Sequence, residues 1–363
     1  MESTDRPLPA PSPWLFSRRA DLLAFGAPAL ASMALVGVGL LTGLASRDTP
    51  PGLWLAAVVG VDVAHVWSTA YRVYADPAEV RRRKLLYLGA PVALWLAGVA
   101  LHLQGPALFW RVLAYAAVFH FVRQQYGWVM LLRRRAGEPD GWGRRLDAAM
   151  VYLAALYPLA HWHAALPRRF SWFIRSDFVA GLPRAAERVT LVAYGLVAIA
   201  YLVRALITAP RSPRGVIPWG KHLVVATTAL CWWVGIVAFD SDYVFTVTNV
   251  LIHGVPYLIL VHRFAERRFV GERGVMGAVF RAGAPAFYGL LLIIAFVEEG
   301  LWDALVWHDH PAFFGAWEWS PGRIALSIVV PLLALPQAVH YALDAIVWKV
   351  GPRNPGLRER LGM

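Results

Sequence analysis

The chain has 363 residues, of which 58% are hydrophobic and only 16% charged, and it carries a net charge of +12. Soluble domains have about 25% charged residues, so composition excludes an ordinary soluble enzyme and indicates a polytopic membrane protein. Lysine and arginine recur in short clusters between apolar runs. That pattern assigns the positive excess to loops that set orientation and meet anionic lipid at the cytoplasmic face, and excludes a nucleic-acid surface.

Residues 1–21 hold Glu2, Asp5 and a run of prolines ahead of Arg18-Arg19, a poor signal peptide, and are read as a cytoplasmic tail whose following span is retained. Apolar runs follow at 22–44, 52–74, 85–103, 107–132, 147–166, 185–206, 222–239, 243–263, 284–300 and 323–349. Each reaches or approaches the roughly 17 to 25 residues that a span needs. The expected fold is therefore all-α, a polytopic integral membrane bundle of about ten helices forming one domain over 22–349, with a tail at 350–363. Basic clusters follow the second, fourth, sixth, eighth and tenth runs, placing both termini in the cytoplasm and suggesting a bacterial inner membrane. Arg168, Arg169, Arg175 and Arg184 in the fifth-to-sixth connection oppose that rule, and Trp172 and Phe173 suggest a segment lying on the interface. The lone Cys231 excludes intrachain disulfides.

Four histidines stand inside even-numbered runs: His65, His120, His253 and His340. From each to the next cytoplasmic basic residue (Arg72, Arg133, Arg263 and Lys349) the count is 7, 13, 10 and 9 residues. At 1.5 Å per residue all four lie about 10 to 20 Å deep, in one layer. Residues three, four or seven apart share a helix face, so each histidine has polar company: Asp62, Thr69 and Arg72; Arg123, Gln124 and Gly127; Asn249 and Tyr257; Gln337, Tyr341 and Asp344. Neutral imidazole suits iron, copper and zinc, and a ligating histidine usually gives its second nitrogen to a carboxylate or amide. Asp62, Asp344, Gln124, Asn249 and Gln337 are candidates for that contact, while Asp62 and Asp344 are also candidate metal ligands, since a carboxylate and a histidine at i, i+3 can reach one metal. Arg123 is expected to pair with Asp62 or Asp344, because an unpaired guanidinium in the bilayer is strongly disfavoured. Tyr126, Tyr257 and Tyr341 are candidate proton donors.

The close histidine boxes of membrane desaturases are missing; the nearest pairs are His161-x-His163 and His308-Asp309-His310. What remains is a non-haem iron held by four histidines, a dinuclear centre completed by Asp62 and Asp344, or haem b between two facing histidines. A proton or solute pathway, or plain polar packing between helices, would also use such residues. The segment 298–319, with Glu298, Glu299, Asp303, Glu318 and several tryptophans, reads as an interfacial hairpin in an outer loop, the alternative being a second metal site or lid. His102, His161, His163 and His222 fall at helix ends, and His262 at the cytoplasmic surface. No nucleotide-binding or nucleophile motif is present, so any electrons come from a donor protein or the substrate.

The stretches His120-Phe121-Val122-Arg123-Gln124-Gln125-Tyr126-Gly127 and His340-Tyr341-Ala342-Leu343-Asp344-Ala345-Ile346-Val347-Trp348-Lys349 resemble recurrent signatures of histidine-containing bacterial polytopic membrane proteins. The layout is similar to that of the Brp/Blh family of membrane carotenoid-cleaving oxygenases. That resemblance implies a non-haem iron held by intramembrane histidines and oxygenase chemistry on an isoprenoid or acyl lipid.

Overall fold

The computed structural model describes residues 10–208, 216–317 and 319–362; the expectations that involve Glu2, Asp5, Arg211, Arg214 and Glu318 fall outside them. The described residues are helical and contain no strand. Ten long helices coincide with the ten apolar runs: α1 (Arg18–Thr42), α2 (Pro51–Arg72), α3 (Lys84–Gln104), α4 (Pro106–Ala136), α5 (Trp142–Ala165), α6 (Arg184–Thr208), α7 (Trp219–Ala238), α8 (Asp242–Phe269), α9 (Ala284–Trp307) and α10 (Arg323–Val347). Seven of them (α1, α2, α3, α6, α7, α8 and α10) are long and apolar enough to cross a membrane. An eighth qualifies if α9 and the short helix Val275–Arg281, bent by 120° from it, count as one span.

Local signals set the ends. Pro51 and Pro106 open α2 and α4 at positions that need no N–H donor. Gly137, at φ 70°, closes α4 with its N–H on the Arg134 carbonyl at 3.2 Å. Ser241 caps α8, its Oγ accepting from the Val244 N–H at 3.2 Å.

Sequence polarity decides which helices are central. In α8, which carries Thr246, Thr248, Asn249, His253 and Tyr257, 72% of the apolar window is buried; in the near-uniformly apolar α6 only 6% is. A helix whose polar groups need partners belongs inside a bundle, and one that is apolar all round can face lipid. Around α8 pack α1, α2, α4 and α7, and α10 lies against α2 and α4. At the crossing of α2 and α8, a Cβ on Gly254 would stand 2.6 Å from Val61 Cγ1 and 3.1 Å from the Val61 carbonyl oxygen, so glycine brings the two backbones together beside His65 and His253. At the basic end, buried Asp147 of α5 binds Arg133 of α4, Arg204 of α6 (3.1 Å) and Lys221 of α7 (3.0 Å), tying four helices.

Two expectations about connections are overturned. Trp172 and Phe173 do not lie on an interface: the 166–183 segment folds back, and Trp172 packs on Trp162, Phe121 and Phe245. Its turn is fastened by Asp177, which accepts from the N–H groups of Trp172, Phe173 and Ile174 at 2.7–3.2 Å. Glu298 and Glu299 are not in a loop, because α9 continues to Trp307 and Glu298 is buried inside the bundle.

Candidate metal centre

The four intramembrane histidines meet. One ring nitrogen from each of His65 (α2), His120 (α4), His253 (α8) and His340 (α10) lies within 4.8 Å of all the others, and all four residues are buried. Among the described residues this is the only such gathering of three or more candidate ligands. Between His120 and His340 the Nε2 atoms are 3.1 Å apart. The ring centroids of His65 and His253 are 4.7 Å apart and nearly perpendicular.

Each ring is oriented from outside the cluster. Asp344 Oδ2 stands 3.7 Å from His120 Nδ1, and Asp62 Oδ1 stands 3.6 Å from His65 Nδ1. Thr69 Oγ1 lies 2.7 Å from His340 Nδ1 and 3.3 Å from the Tyr257 hydroxyl, which accepts from Trp348 Nε1 at 3.1 Å. Phe121 stacks on His253 with centroids 3.4 Å apart, and through Phe121 the inward-folded Trp172 closes that side. The turns of α2 immediately before this layer (Leu55–Val63) adopt the wider i→i+5 winding that often occurs beside functional sites.

Both ring nitrogens of His65 and both of His253 are buried without any hydrogen-bond partner. An unpaired buried polar atom costs on the order of 1–3 kcal/mol. The peripheral histidines have ordinary partners: His102 with Ser327 (3.0 Å), His161 with Glu187 (2.6 Å), His163 with Tyr115 (2.9 Å) and His222 with Tyr201 (2.7 Å). His310 stacks on Trp54 instead of joining a second cluster. His262 is half-buried between Phe280 and Phe287 and not at the surface as expected. The donor set of the cluster therefore fits a metal ion: four buried imidazoles converging from four helices, two of them without a hydrogen bond.

Other candidates occupy different positions from those expected. Arg123 does not pair with Asp62 or Asp344; it is exposed, donating to the Tyr152 hydroxyl at 2.6 Å and lying over the Tyr126 ring. Gln124 keeps the place expected of it: its amide side chain interacts with the His120 imidazole and also donates to the His253 backbone carbonyl at 2.9 Å, fixing α8 against α4. Asn249 turns its amide nitrogen to the Phe245 carbonyl (3.1 Å) and Thr248, away from the rings. Gln337 donates to Glu298 Oε1 at 3.1 Å. Glu298 also accepts from the indoles of Trp67 and Trp302, so a carboxylate that looked peripheral links α2, α9 and α10 next to the histidine layer. Gly127, on the His120 face, is not in close helix packing: a Cβ there would meet nothing within 4 Å.

It opens instead onto a cavity of about 440 Å³ between α4, α8 and α10. His120, Asp344, Tyr257 and Tyr341 line its deep end, and Tyr126 and Arg123 lie further out. Tyr341 stacks on the His120 ring at 5.0 Å, and among the described residues nothing hydrogen-bonds its hydroxyl. The chain matches no family model, no curated protein and no solved structure, so its function is argued from this geometry.

Proposed function

We propose that the protein is a metal-dependent oxygenase or oxidoreductase of the bacterial inner membrane, with about ten spans and both termini cytoplasmic, that holds a non-haem iron between His65, His120, His253 and His340 and acts on an isoprenoid or acyl lipid. The observation that carries this reading is the convergence of four buried imidazoles within 4.8 Å. Metal–imidazole bonds are about 2.0–2.1 Å, so two nitrogens on one ion are separated by roughly 3.4 Å in a tetrahedral site. The cluster has that scale, and the 3.1 Å between the Nε2 atoms of His120 and His340 is nearer to two nitrogens on one ion than to a pair facing across a porphyrin, which supports the non-haem reading. Asp62 and Asp344 back the Nδ1 sides of His65 and His120, a placement that supports carboxylates orienting ligands more than bridging a second metal.

Bound iron would supply activation of dioxygen. The chain's own residues do the rest: Phe121 and Trp172 exclude water on one side, Thr69 holds the tautomer of His340, Asp344 stands behind His120, and the cavity presents a hydrocarbon to the deep end. Of the three candidate tyrosines, Tyr341 is placed to move a proton, because its hydroxyl is uncommitted while that of Tyr257 is held by Thr69 and Trp348. Tyr126 stacks on Tyr152 near the mouth. Cleavage of a double bond that takes up both atoms of dioxygen balances without an external reductant; hydroxylation needs two electrons from a donor protein.

Elemental analysis of protein purified from iron-replete cells tests the reading. The expected result is about one iron per chain with no Soret band; a Soret band, or no metal in protein that is folded, overturns it.

A further inference from the structure

We infer that the cavity takes a single-chain amphiphile with an anionic headgroup, carboxylate or phosphate, bound tail-first with its charge at the basic mouth. The cavity volume, about 440 Å³, is within the roughly 300–1,000 Å³ of small-molecule sites. Between its ends the walls are largely apolar and aromatic, with Trp128, Leu131, Leu260 and Trp348 among them; Arg123, one turn from His120, is the cation in that stretch and donates to the Tyr152 hydroxyl. Its far end is ringed by Arg134 of α4, Arg144 at the start of α5 and Lys349 just past α10. Arg144 is paired with Asp140 at 3.3 Å, whereas Arg134 and Lys349 are exposed and have no carboxylate partner among the described residues. Among the described residues the only acid lining the cavity is Asp344, at the opposite end beside His120.

Orientation in the membrane accounts for arginine and lysine at this end of the bundle. It does not account for cations from three elements converging on one cavity mouth without an acid among the walls between them and the histidine layer. From His120 to Arg134 is 14 residues along α4, about 21 Å, so an anion held at the mouth sets how far along its tail the reacting carbon lies. The inference rests on the proposed oxygenase reading for what happens to the ligand, but binding itself needs no metal.

The test uses the full chain in nanodiscs of zwitterionic lipid, titrated with dibrominated stearate, its methyl ester, and an alkyl phosphate of equal length and bromination, with quenching of tryptophan fluorescence as the readout. Saturable quenching by either anion that unlabelled stearate reverses, with the ester at least tenfold weaker, is expected, and the tighter anion identifies the headgroup. The Arg134→Gln/Lys349→Gln double variant should weaken the anions to the level of the ester, while Arg81→Gln/Lys84→Gln, two exposed cations outside the cavity, should leave them unchanged. Gly127→Phe, whose ring would enter open space, should weaken all three. Equal binding of acid and ester, or an equal loss in both double variants, overturns the inference. Because the readout ignores iron content, its failure is distinguishable from failure of the oxygenase reading.

Discussion

His120 and His340, 220 residues apart in sequence, direct their Nε2 atoms at each other across 3.1 Å, while the Nδ1 atoms face Asp344 and Thr69 on the outside of the pair. Two neutral imidazoles at that distance can share one hydrogen bond, which would explain the pair alone. It would not explain His65 and His253, whose rings crowd the same point with no hydrogen bond to any nitrogen. One cation would take a nitrogen from each of the four rings.

Removal of a ligand should therefore cost metal before it costs the fold. In His120→Ala, the bundle retains the Asp147 network and the α2–α8 crossing, so the variant should elute as wild type while its iron content falls at least about tenfold. Iron by elemental analysis of matched monodisperse fractions is the measurement, and unchanged occupancy would remove His120 from the site.

The backing carboxylate should matter less than the ligand it orients. Loss of such a partner typically lowers metal affinity or activity about 10–100-fold. Asp344→Asn keeps the shape next to His120 Nδ1 and removes the charge, so iron affinity should drop by that range in a chelator competition. Asp62→Asn should behave alike through His65. No change in either variant would leave neither aspartate with a part in holding the metal.

Tyr341→Phe separates proton movement from assembly. The ring that stacks on His120 stays, so iron content should match wild type, while oxygen uptake with an isoprenoid or acyl-lipid extract should fall about 10²-fold or more, as loss of a positioned proton donor does. Tyr257→Phe should instead lower iron content, since its hydroxyl contacts the Thr69 that holds His340.

The histidine layer was legible because depth in a membrane helix is a residue count, and the basic residues at the ends supply the origin. Azimuth was harder to read. Arg123 lies about 60° round α4 from His120 at 100° per residue, close enough to share its face in the sequence, and only packing against α5 sends it to Tyr152. Glu298-Glu299 resembled the end of a span because acids are expensive in lipid; the Trp302 indole one turn along α9, the Gln337 amide of α10 and the Trp67 indole of the distant α2 are what permit burial of Glu298. Trp172 and Phe173 were misplaced for a related reason: aromatic side chains suit the interface and the core alike, and the turn around Asp177 decides for the core.

Outside the spans, pH should act through Asp76. Burial pushes its carboxyl up, but the Arg268 guanidinium (2.7 and 3.1 Å) and the Ala78 N–H (3.1 Å) outweigh that and hold it below the usual range. A carboxylate depressed in the folded state contributes stability above its unfolded value, about 3.9, and loses it as pH falls through the folded value. The gap in melting temperature between wild type and Arg268→Gln should thus be constant from pH 7 to 5 and close below about pH 4. A gap that persists at lower pH would mean that Arg268 stabilises the fold by another contact.

The largest loss of stability should come from the other end of the same face. Asp147 is wholly buried with Arg133, Lys221 and Arg204 around it, and among the described residues Glu138 is the only other acid paired with these cations, 2.6 Å from Lys221. Removal of one partner from a buried ionic network leaves uncompensated charge and costs about 3–5 kcal/mol. Asp147→Ala should therefore lower the yield of monodisperse protein and its melting temperature more than any substitution in the histidine layer. Asp147→Ala/Lys221→Met, which removes a cation together with the acid, should recover part of the loss; a double variant no better than the single one would show that the charge balance is not what Asp147 supplies.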